Sequence, residues 1–289
     1  MIMSNYVIFT DSCCDLSREM SASLGLRVLQ MDVIMEGAKP TPNDKLDIKE
    51  VYEKLRAKKS ASTAAINMER FYTAFEKALQ EGLDVLYLGF SSGLSATYNA
   101  SLVAAQELSE KYPARKIYTV DTLCASMGQG LLVYHAAKLK ENGADIETVK
   151  DFVENNKLNL CHWFTVDDLF FLKRGGRVSA ATAVVGTLLS IKPVLHVDNA
   201  GKLINVSKAR GRKASIDTMF EKMKATLIPN KNDVVFISHG DCVEDADYLA
   251  NRVKTELGIS EVVINYIGPV IGSHSGPGTL ALFFLGTER

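Results

Sequence analysis

The chain has 289 residues, of which 47% are apolar, so it can bury a substantial core and does not have the composition of a disordered protein. Its formal net charge of −1 gives no basic surplus, which argues against nucleic acid as a partner. The five Cys are an odd number and none has CxxC spacing, so neither a disulfide framework nor a zinc knuckle is indicated.

The N-terminus and the apolar runs bear on where the protein is located. Met1 to Tyr6 lead straight into a strand-like run and lack the charged and long apolar regions of a signal peptide. No apolar run approaches the roughly 18 residues that span a bilayer. We therefore expect a cytoplasmic protein without stable membrane insertion.

Strand-like and helical segments alternate through the first half of the chain. Strands are predicted at Tyr6 to Thr10, Arg27 to Met35, Asp84 to Phe90 and Lys116 to Val120. Helices are predicted at Leu16 to Leu24, Ile48 to Lys58, Met68 to Gln80, Ser95 to Lys111, Ala125 to Glu141 and Ile146 to Asn156. This alternation indicates an α/β fold: a Rossmann-like parallel sheet with helices on both faces, in an N-terminal domain of residues 1–160.

The second half has more strands and fewer helices. Strands are predicted at Trp163 to Val166, Pro193 to Val197, Leu203 to Lys208, Val234 to Ser238, Glu261 to Ile267 and Leu280 to Leu285. Helices are predicted at Ala214 to Leu227 and Glu244 to Leu257. The turn residues Asp198-Asn199-Ala200-Gly201 indicate a hairpin, so we expect a C-terminal α+β domain of residues 161–289 with a largely antiparallel sheet.

Polar residues follow several strands of the predicted parallel sheet. Asp11-Ser12, Ser91-Ser92 and Asp121-Thr122 each come directly after an apolar strand. In open α/β sheets, ligands bind beyond the carboxyl ends of the strands, so these residues are expected to share one rim. The cleft between the two domains is then the natural ligand site.

Gly89-Phe90-Ser91-Ser92-Gly93 matches G-x-S-x-G between a strand and a helix, the context of a nucleophile elbow. Asp121 and His274 follow in the order that an α/β-hydrolase requires, so a serine hydrolase or esterase using Ser91, Asp121 and His274 is one hypothesis. Hydroxyls at such a turn also cap the following helix or bind a ligand. All three interpretations stay open at this point.

Two basic clusters and one uncharged segment are further candidates. Lys173-Arg174-Gly175-Gly176-Arg177 has the form of a helix C-terminus and also that of an anion or partner site. Lys208, Arg210, Arg212 and Lys213 form a second basic cluster, which is either a solvated face or part of the same positive surface. The segment from Ala180 to Ile191 carries no charge, which fits either buried core or a wall over an apolar ligand.

The segment His274-Ser275-Gly276-Pro277-Gly278-Thr279 places one imidazole in a predicted bend of small residues. The apolar runs before and after it, Val262 to Ile271 and Leu280 to Leu285, both have the pattern of strands. An imidazole beside several hydroxyls can hold a carboxylate or serve nucleophilic catalysis. The remaining His are scattered without metal-ligand spacing, and the chain has no Walker A sequence and no dinucleotide fingerprint, so neither a metal nor a cofactor is expected.

These segments, taken in order, resemble the DegV family, the fatty-acid-binding subunits of bacterial fatty acid kinase. The resemblance covers nearly the whole chain. It is carried by Thr10-Asp11-Ser12 with Asp15-Leu16, Ser91 to Thr97, Val120-Asp121-Thr122 with Ser126-Met127-Gly128, Gly175-Gly176-Arg177, and Gly272 to Thr279.

The resemblance implies a protein that binds one long-chain fatty acid between two domains and is not itself a kinase. A Thr, a Ser and a His hold the carboxylate in such proteins, and these positions fall here on Thr63, Ser95 and His274. The acyl tail would run into the C-terminal domain, and a separate ATP-dependent kinase subunit would form the acyl phosphate. Residues expected to support the site are Ser62, Ser92, Thr97, Gly278 and Thr279; those expected to face the kinase or steady the carboxylate are Arg177, Arg174 and Arg210.

The chain departs from the family pattern at two places near the expected carboxylate site. Thr63-Ala64-Ala65-Ile66 stands where the family usually has Thr-Ser-Gln-Pro, and Ser95-Ala96-Thr97 stands where it usually has Ser-Gly-Thr. Both hydroxyl residues are retained, so carboxylate binding is still expected.

Overall fold

A computed structural model describes residues 5–179 and 191–289 of the chain. The uncharged segment discussed above lies outside the described residues except for Ile191. In the part that the structure describes, no helix has the length and apolar character needed to cross a membrane.

Up to residue 156 the predicted strands and helices are present, except that the predicted run from Arg27 to Met35 forms two strands in different sheets and that two further short strands occur at Thr41–Pro42 and Ala61–Ala64. The strands are β1 (Tyr6–Asp11), β2 (Arg27–Leu29), β3 (Asp32–Met35), β4 (Thr41–Pro42), β5 (Ala61–Ala64), β6 (Asp84–Gly89) and β7 (Ile117–Asp121). The helices are α1 (Arg18–Ser23), α2 (Ile48–Arg56), α3 (Met68–Gln80), α4 (Thr97–Lys111), α5 (Met127–Glu141) and α6 (Ile146–Asn156).

The second half contains most of the remaining strands. They are β8 (Leu160–Thr165), β9 (Ile191–Val197), β10 (Leu203–Arg210), β11 (Val234–His239), β12 (Glu261–Tyr266) and β13 (Leu280–Leu285). The helices described here are α7 (Phe170–Arg174), α8 (Arg212–Thr226), α9 (Val243–Leu257) and α10 (Pro269–Ser275).

The first sheet is parallel and has the order β2-β1-β6-β7. Its central strand β1 is buried along its whole length, as expected for a strand covered on both faces. Because all of its strand pairs are parallel, the carboxyl ends of the strands meet at one edge. The predicted α/β architecture is therefore confirmed.

The second sheet has the order β10-β9-β8-β13-β11-β12 and is antiparallel except for the pair β11 and β12. The predicted hairpin joins β9 to β10, and Gly201 in its turn has a φ of 71°, a left-handed conformation that favours glycine. Helix α9 connects the parallel pair, as a parallel crossover requires. The mixed, largely antiparallel sheet predicted for the second half is confirmed.

A small third sheet, β4-β3-β5, was not predicted as a separate sheet. Strand β5 pairs antiparallel with β3, and Thr63 lies opposite Val33. The short sequence Ala-Ser-Thr-Ala has no apolar alternation, so its pairing with β3 defines it as a strand. This pairing fixes the backbone position of Thr63.

The segment before His274 is the clearest correction to the predicted elements. The strand predicted at Glu261 to Ile267 is present as β12, which ends at Tyr266, but the rest of the apolar run up to Ile271 is not strand and enters helix α10. Gly268 is extended and Pro269 occupies the first helical turn, where its missing N–H is not needed. His274 therefore lies on the last turn of a short helix and not in a bend between two strands.

The core runs across the boundary predicted near residue 160. One cluster of buried side chains includes Leu88 and Leu131 from the first half together with Phe164, Phe236 and Phe283 from the second. Helix α5 contributes to this cluster because it packs between the two sheets, against β8, β11 and β13. The division into residues 1–160 and 161–289 stays a prediction.

Candidate functional site

Polar residues at the ends of β1, β6 and β7 share one rim of the parallel sheet. The Asp11 carboxylate accepts hydrogen bonds from the Phe90 N–H at 2.9 Å and from the Tyr87 hydroxyl at 2.7 Å. The Asp121 carboxylate accepts one from the Ser92 N–H at 3.2 Å. These bonds shape the loop between β6 and α4, which carries Ser95.

A second buried carboxylate links this rim to the other sheet. The Ser126 hydroxyl donates to Asp15 Oδ2 at 2.6 Å and lies 2.9 Å from the Ser238 hydroxyl at the end of β11. Burial raises the pKa of Asp15 to about 7. Because Ser126 also lines the cavity described below, this network fixes one part of the cavity wall.

Thr63 and His274 form a direct pair although they lie 211 positions apart in the sequence. Their side chains meet at 2.8 Å, between Thr63 Oγ1 and His274 Nε2. Ser95 lies in the same cavity, where its hydroxyl contacts Thr97 Oγ1 at 2.9 Å. The structure thus brings the three predicted carboxylate-binding residues to one cavity.

The imidazole of His274 is held in a neutral state by its surroundings. Burial, together with the nearby cations Arg177 and Arg174, lowers its pKa to about 4. Nδ1 has no hydrogen-bond partner among the described residues. Gly175 lies directly against this ring edge, where a Cβ would collide with it.

The three predicted arginines lie in different settings. Arg177 is half-buried, lines the cavity and donates to the Leu94 carbonyl at 3.0 Å and to the Gly175 carbonyl. Arg174 is exposed at the end of α7, where its guanidinium lies 5.0 Å from the centre of the Phe171 ring. Arg210 is exposed at the end of β10 and does not line the cavity. The Lys-Arg-Gly-Gly-Arg segment is therefore a helix C-terminus that also supplies one cation to the cavity.

The cavity extends from Thr63, Ser95 and His274 into the space between the two sheets. Its empty space, counting the open mouth, is about 700 Å³. Away from these polar residues its walls are largely apolar, and they are formed by Met31, Phe90, Leu94, Phe164, Leu172, Val197, Leu203, Ile267, Val270, Ile271, Ala281 and Phe283. A cavity with a polar end and a long apolar body fits an amphipathic ligand.

The residues predicted to support the site fall into two groups. Thr97 and Thr279 are buried, and Thr279 lines the cavity while its hydroxyl lies 2.9 Å from the Ser275 and Gly276 carbonyls. Gly278 has a φ of 75°, and a Cβ there would collide with Asp167. Ser62 and Ser92 are exposed and do not line the cavity.

The serine hydrolase hypothesis does not fit the positions of its three residues. Ser91 is 0% exposed, and its hydroxyl donates to the Gly201 carbonyl at 2.8 Å. Asp121 binds backbone N–H groups of Ser92 and Leu123, while His274 pairs with Thr63. A nucleophile needs an adjacent base and access to substrate, and Ser91 has neither in this arrangement. The motif instead fixes the β9–β10 hairpin against the β6–α4 loop.

The cavity walls from the second sheet were not identified from the sequence. Ala281 and Phe283 alternate along β13, and His162 and Phe164 alternate along β8, so each pair lies on one face of the sheet. Strands β8 and β13 are buried on both faces, which hid the alternation. The alternation of side chains between the two faces of each strand was the available signal. It identifies the cavity wall only once the pairing of β8 with β13 is known.

The low pKa of His274 gives a testable pH dependence. In the unfolded chain the ring protonates near 6.5 and in the folded protein near 4, so the unfolded state binds more protons between these values. Stability contributed by the neutral ring should therefore decrease as the pH falls from 6.5 towards 4. An NMR titration of the ring should give a pKa near 4, and a pKa near 6.5 would contradict the burial argument.

Comparison with known proteins places this geometry in a family. A family model described as "Uncharacterised protein, DegV family" matches residues 5–287. A DegV domain-containing protein of Clostridium perfringens is 47% identical over 289 residues, covering 99% of both chains.

Solved structures give the same result. A DegV family protein from Thermus thermophilus, whose structure is described as showing fatty acid binding, is 30% identical to this chain. The two structures match with a TM-score of 0.87 over 98% of this chain and 99% of that one. DegV from Bacillus subtilis, described as a fatty acid binding protein, is 26% identical with a TM-score of 0.83, covering 98% of this chain and 100% of that one. The chain therefore belongs to the DegV family.

Proposed function

We propose that this protein binds one long-chain fatty acid, with the carboxylate at Thr63, Ser95 and His274 and the acyl tail in the apolar cavity between the sheets. The observation that carries the proposal is that one cavity is polar at the Thr63–His274 pair and apolar beyond it. Fatty acid binding by the Thermus thermophilus and Bacillus subtilis relatives supports it.

The polar end has the donors that an anionic head group needs. A neutral His274 can donate from Nε2 to Thr63 Oγ1, which leaves the Thr63 O–H free to donate to a carboxylate oxygen. Ser95 supplies a second hydroxyl, and the half-buried Arg177 supplies a positive charge at the same cavity. These groups together offset the cost of taking a carboxylate out of water.

The apolar body accounts for most of the expected affinity. Burial contributes about 0.8 kcal/mol for each CH₂ group, so a chain of roughly sixteen carbons gains on the order of 10 kcal/mol before ordering costs. The head group therefore has to fix the orientation of the ligand and to cancel its own desolvation. Tight binding follows from the tail.

Denaturing mass spectrometry of an organic extract of the purified protein tests the proposal. We expect one fatty acid per protein chain, carried through purification because a long buried tail leaves slowly. An extract without fatty acid, from protein that also fails to take up added palmitate or oleate, would contradict fatty acid binding.

We further propose that the protein is not itself the catalyst and presents the carboxylate to a separate ATP-dependent kinase subunit. The exposed Arg174, beside the cavity-lining Arg177, offers a positive surface for that partner, and Arg210 is a more distant candidate. Lipid-loaded protein mixed with ATP and a candidate kinase subunit should yield an acyl phosphate that hydroxylamine traps. The absence of trapped product with a subunit that acts on a DegV relative would contradict this step.

A further inference from the structure

The inner end of the cavity can be located from the register of β8 and β13. Strand β13 begins directly after Thr279, which lies at the polar end near His274. Ala281 pairs with Phe164 and then Phe283 pairs with His162, and all four residues line the cavity. At about 3.3 Å per residue, Phe283 lies about 13 Å along the strand from Thr279.

The next pair along the strands no longer belongs to the cavity. Leu285 pairs with Leu160, and both are packed in the hydrophobic core. Phe283 and His162 are thus the last pair of β13 and β8 to line the cavity. Their rings meet edge to face, with centres 5.4 Å apart and planes at 90°.

His162 is fixed in orientation by hydrogen bonds at both ring nitrogens. Because a carbonyl only accepts, Nδ1–H donates to the Leu160 carbonyl at 3.1 Å, which leaves Nε2 to accept from the Ala125 N–H at 3.2 Å. The ring is 1% exposed and cannot rotate without breaking both bonds. No nitrogen is left for a ligand, so the ring acts as an inert surface towards the cavity.

Helix α5 prevents both rings from moving away from the cavity. Gly128 lies directly behind them, and a Cβ at this position would collide with the His162 ring and come within 2.8 Å of Phe283 Cδ1. The His162–Phe283 pair is therefore held by β8 on one side and by the helix backbone on the other. Such a wall has a fixed position.

We infer that His162 and Phe283 form the end wall of the cavity and set the longest acyl chain that the protein accepts. This inference rests on the proposed fatty acid binding and adds a determinant of chain length to it. A ligand whose terminal methyl group reaches the two rings fills the cavity. A longer ligand has to leave methylene groups outside or displace a ring that has no space to move into.

Affinities for a series of saturated fatty acids that differ by two carbons test the end wall. In the wild type, one acid of the series binds best. In the His162→Ala variant, the acid two carbons longer should gain about tenfold in affinity relative to that acid, because two further CH₂ groups become buried. Phe283→Leu shortens the other half of the wall, keeps an apolar strand residue and should shift the optimum in the same direction. It provides a second test if the Ala variant folds poorly.

His196→Ala is the matched control. His196 lies on the neighbouring strand β9, faces away from the cavity and stacks on Trp163 with ring centres 5.0 Å apart. Its replacement should leave the chain-length profile unchanged. An equal shift in this control would mean that a loosened sheet causes the effect, and would overturn the end-wall role.

The outcomes separate this inference from the proposed function. Wild-type protein that binds no fatty acid overturns both. Wild-type protein that binds fatty acid, together with folded His162→Ala and Phe283→Leu variants that keep the wild-type chain-length profile, overturns the end wall alone.

Discussion

Replacing Ala281 with Phe should leave a folded protein with almost no bound long-chain fatty acid. Ala281 lines the cavity midway between Thr279 and Phe283, opposite Phe164. A phenyl ring there would fill the space that the tail needs and would exclude the part of the chain beyond it. If about four CH₂ groups lose their burial, the loss is about 3 kcal/mol, or more than a hundredfold in affinity.

Leu282→Phe controls for overpacking of the same strand. Leu282 is the neighbour of Ala281, but its side chain packs on the opposite face of the sheet, in the core beneath α8 and α9. Both substitutions should cost about 1–3 kcal/mol of stability, but only Ala281→Phe should remove the lipid. Mass spectrometry of extracts and thermal unfolding of both variants separate the two effects. A folded Ala281→Phe variant that retains lipid would show that the tail does not pass this point.

The parts of the fold that sequence patterns predicted are those with strong local signals. Met68–Gln80 and Ile146–Asn156 were predicted with their observed bounds, since each follows an N-capping Asn or Asp and has an apolar stripe. Leu280–Leu285 is a run of six apolar residues, which is typical of a buried strand. Local chemistry is sufficient for such elements.

Elements defined by distant partners were harder to predict. Helix α10 contains Val270 and Ile271, which favour strands. It forms nevertheless because Pro269 favours the start of a helix, and because the side chains of Tyr52 and Asn43 hydrogen-bond to the backbone around that start. Strand β5 is defined by its pairing with β3. Neither partner is near in sequence, so no local pattern could identify these elements.

The candidate site shows the same limit. The family resemblance indicated Thr63, Ser95 and His274, and the structure brings all three to one cavity. The order Ser91, Asp121, His274 also matched a motif, but order along the chain does not fix distance, and Ser91 is bonded elsewhere. The role of His162 could not be predicted because it depends on strand register and on a helix glycine behind the ring.

Thr63→Ala and His274→Ala should each weaken retention of the fatty acid by roughly 10- to 100-fold. Hydrogen bonds to a charged group contribute about 1.5–3 kcal/mol, and each substitution removes one side of the Thr63–His274 pair. Affinity for one fatty acid, measured by displacement of a fluorescent analogue, gives the loss. Ser62→Ala is the matched control, since Ser62 is exposed and precedes Thr63 on the same strand, and it should bind like the wild type.

The double variant tests how the two residues work together. If Nε2 of His274 orients the Thr63 hydroxyl towards the carboxylate, then removing either residue already loses most of the oriented contact. The double variant should therefore bind only slightly more weakly than the weaker single variant, whereas independent contacts would give losses that multiply. Losses that multiply would mean that His274 contacts the carboxylate on its own. Wild-type retention in both single variants would show that the carboxylate lies elsewhere in the cavity.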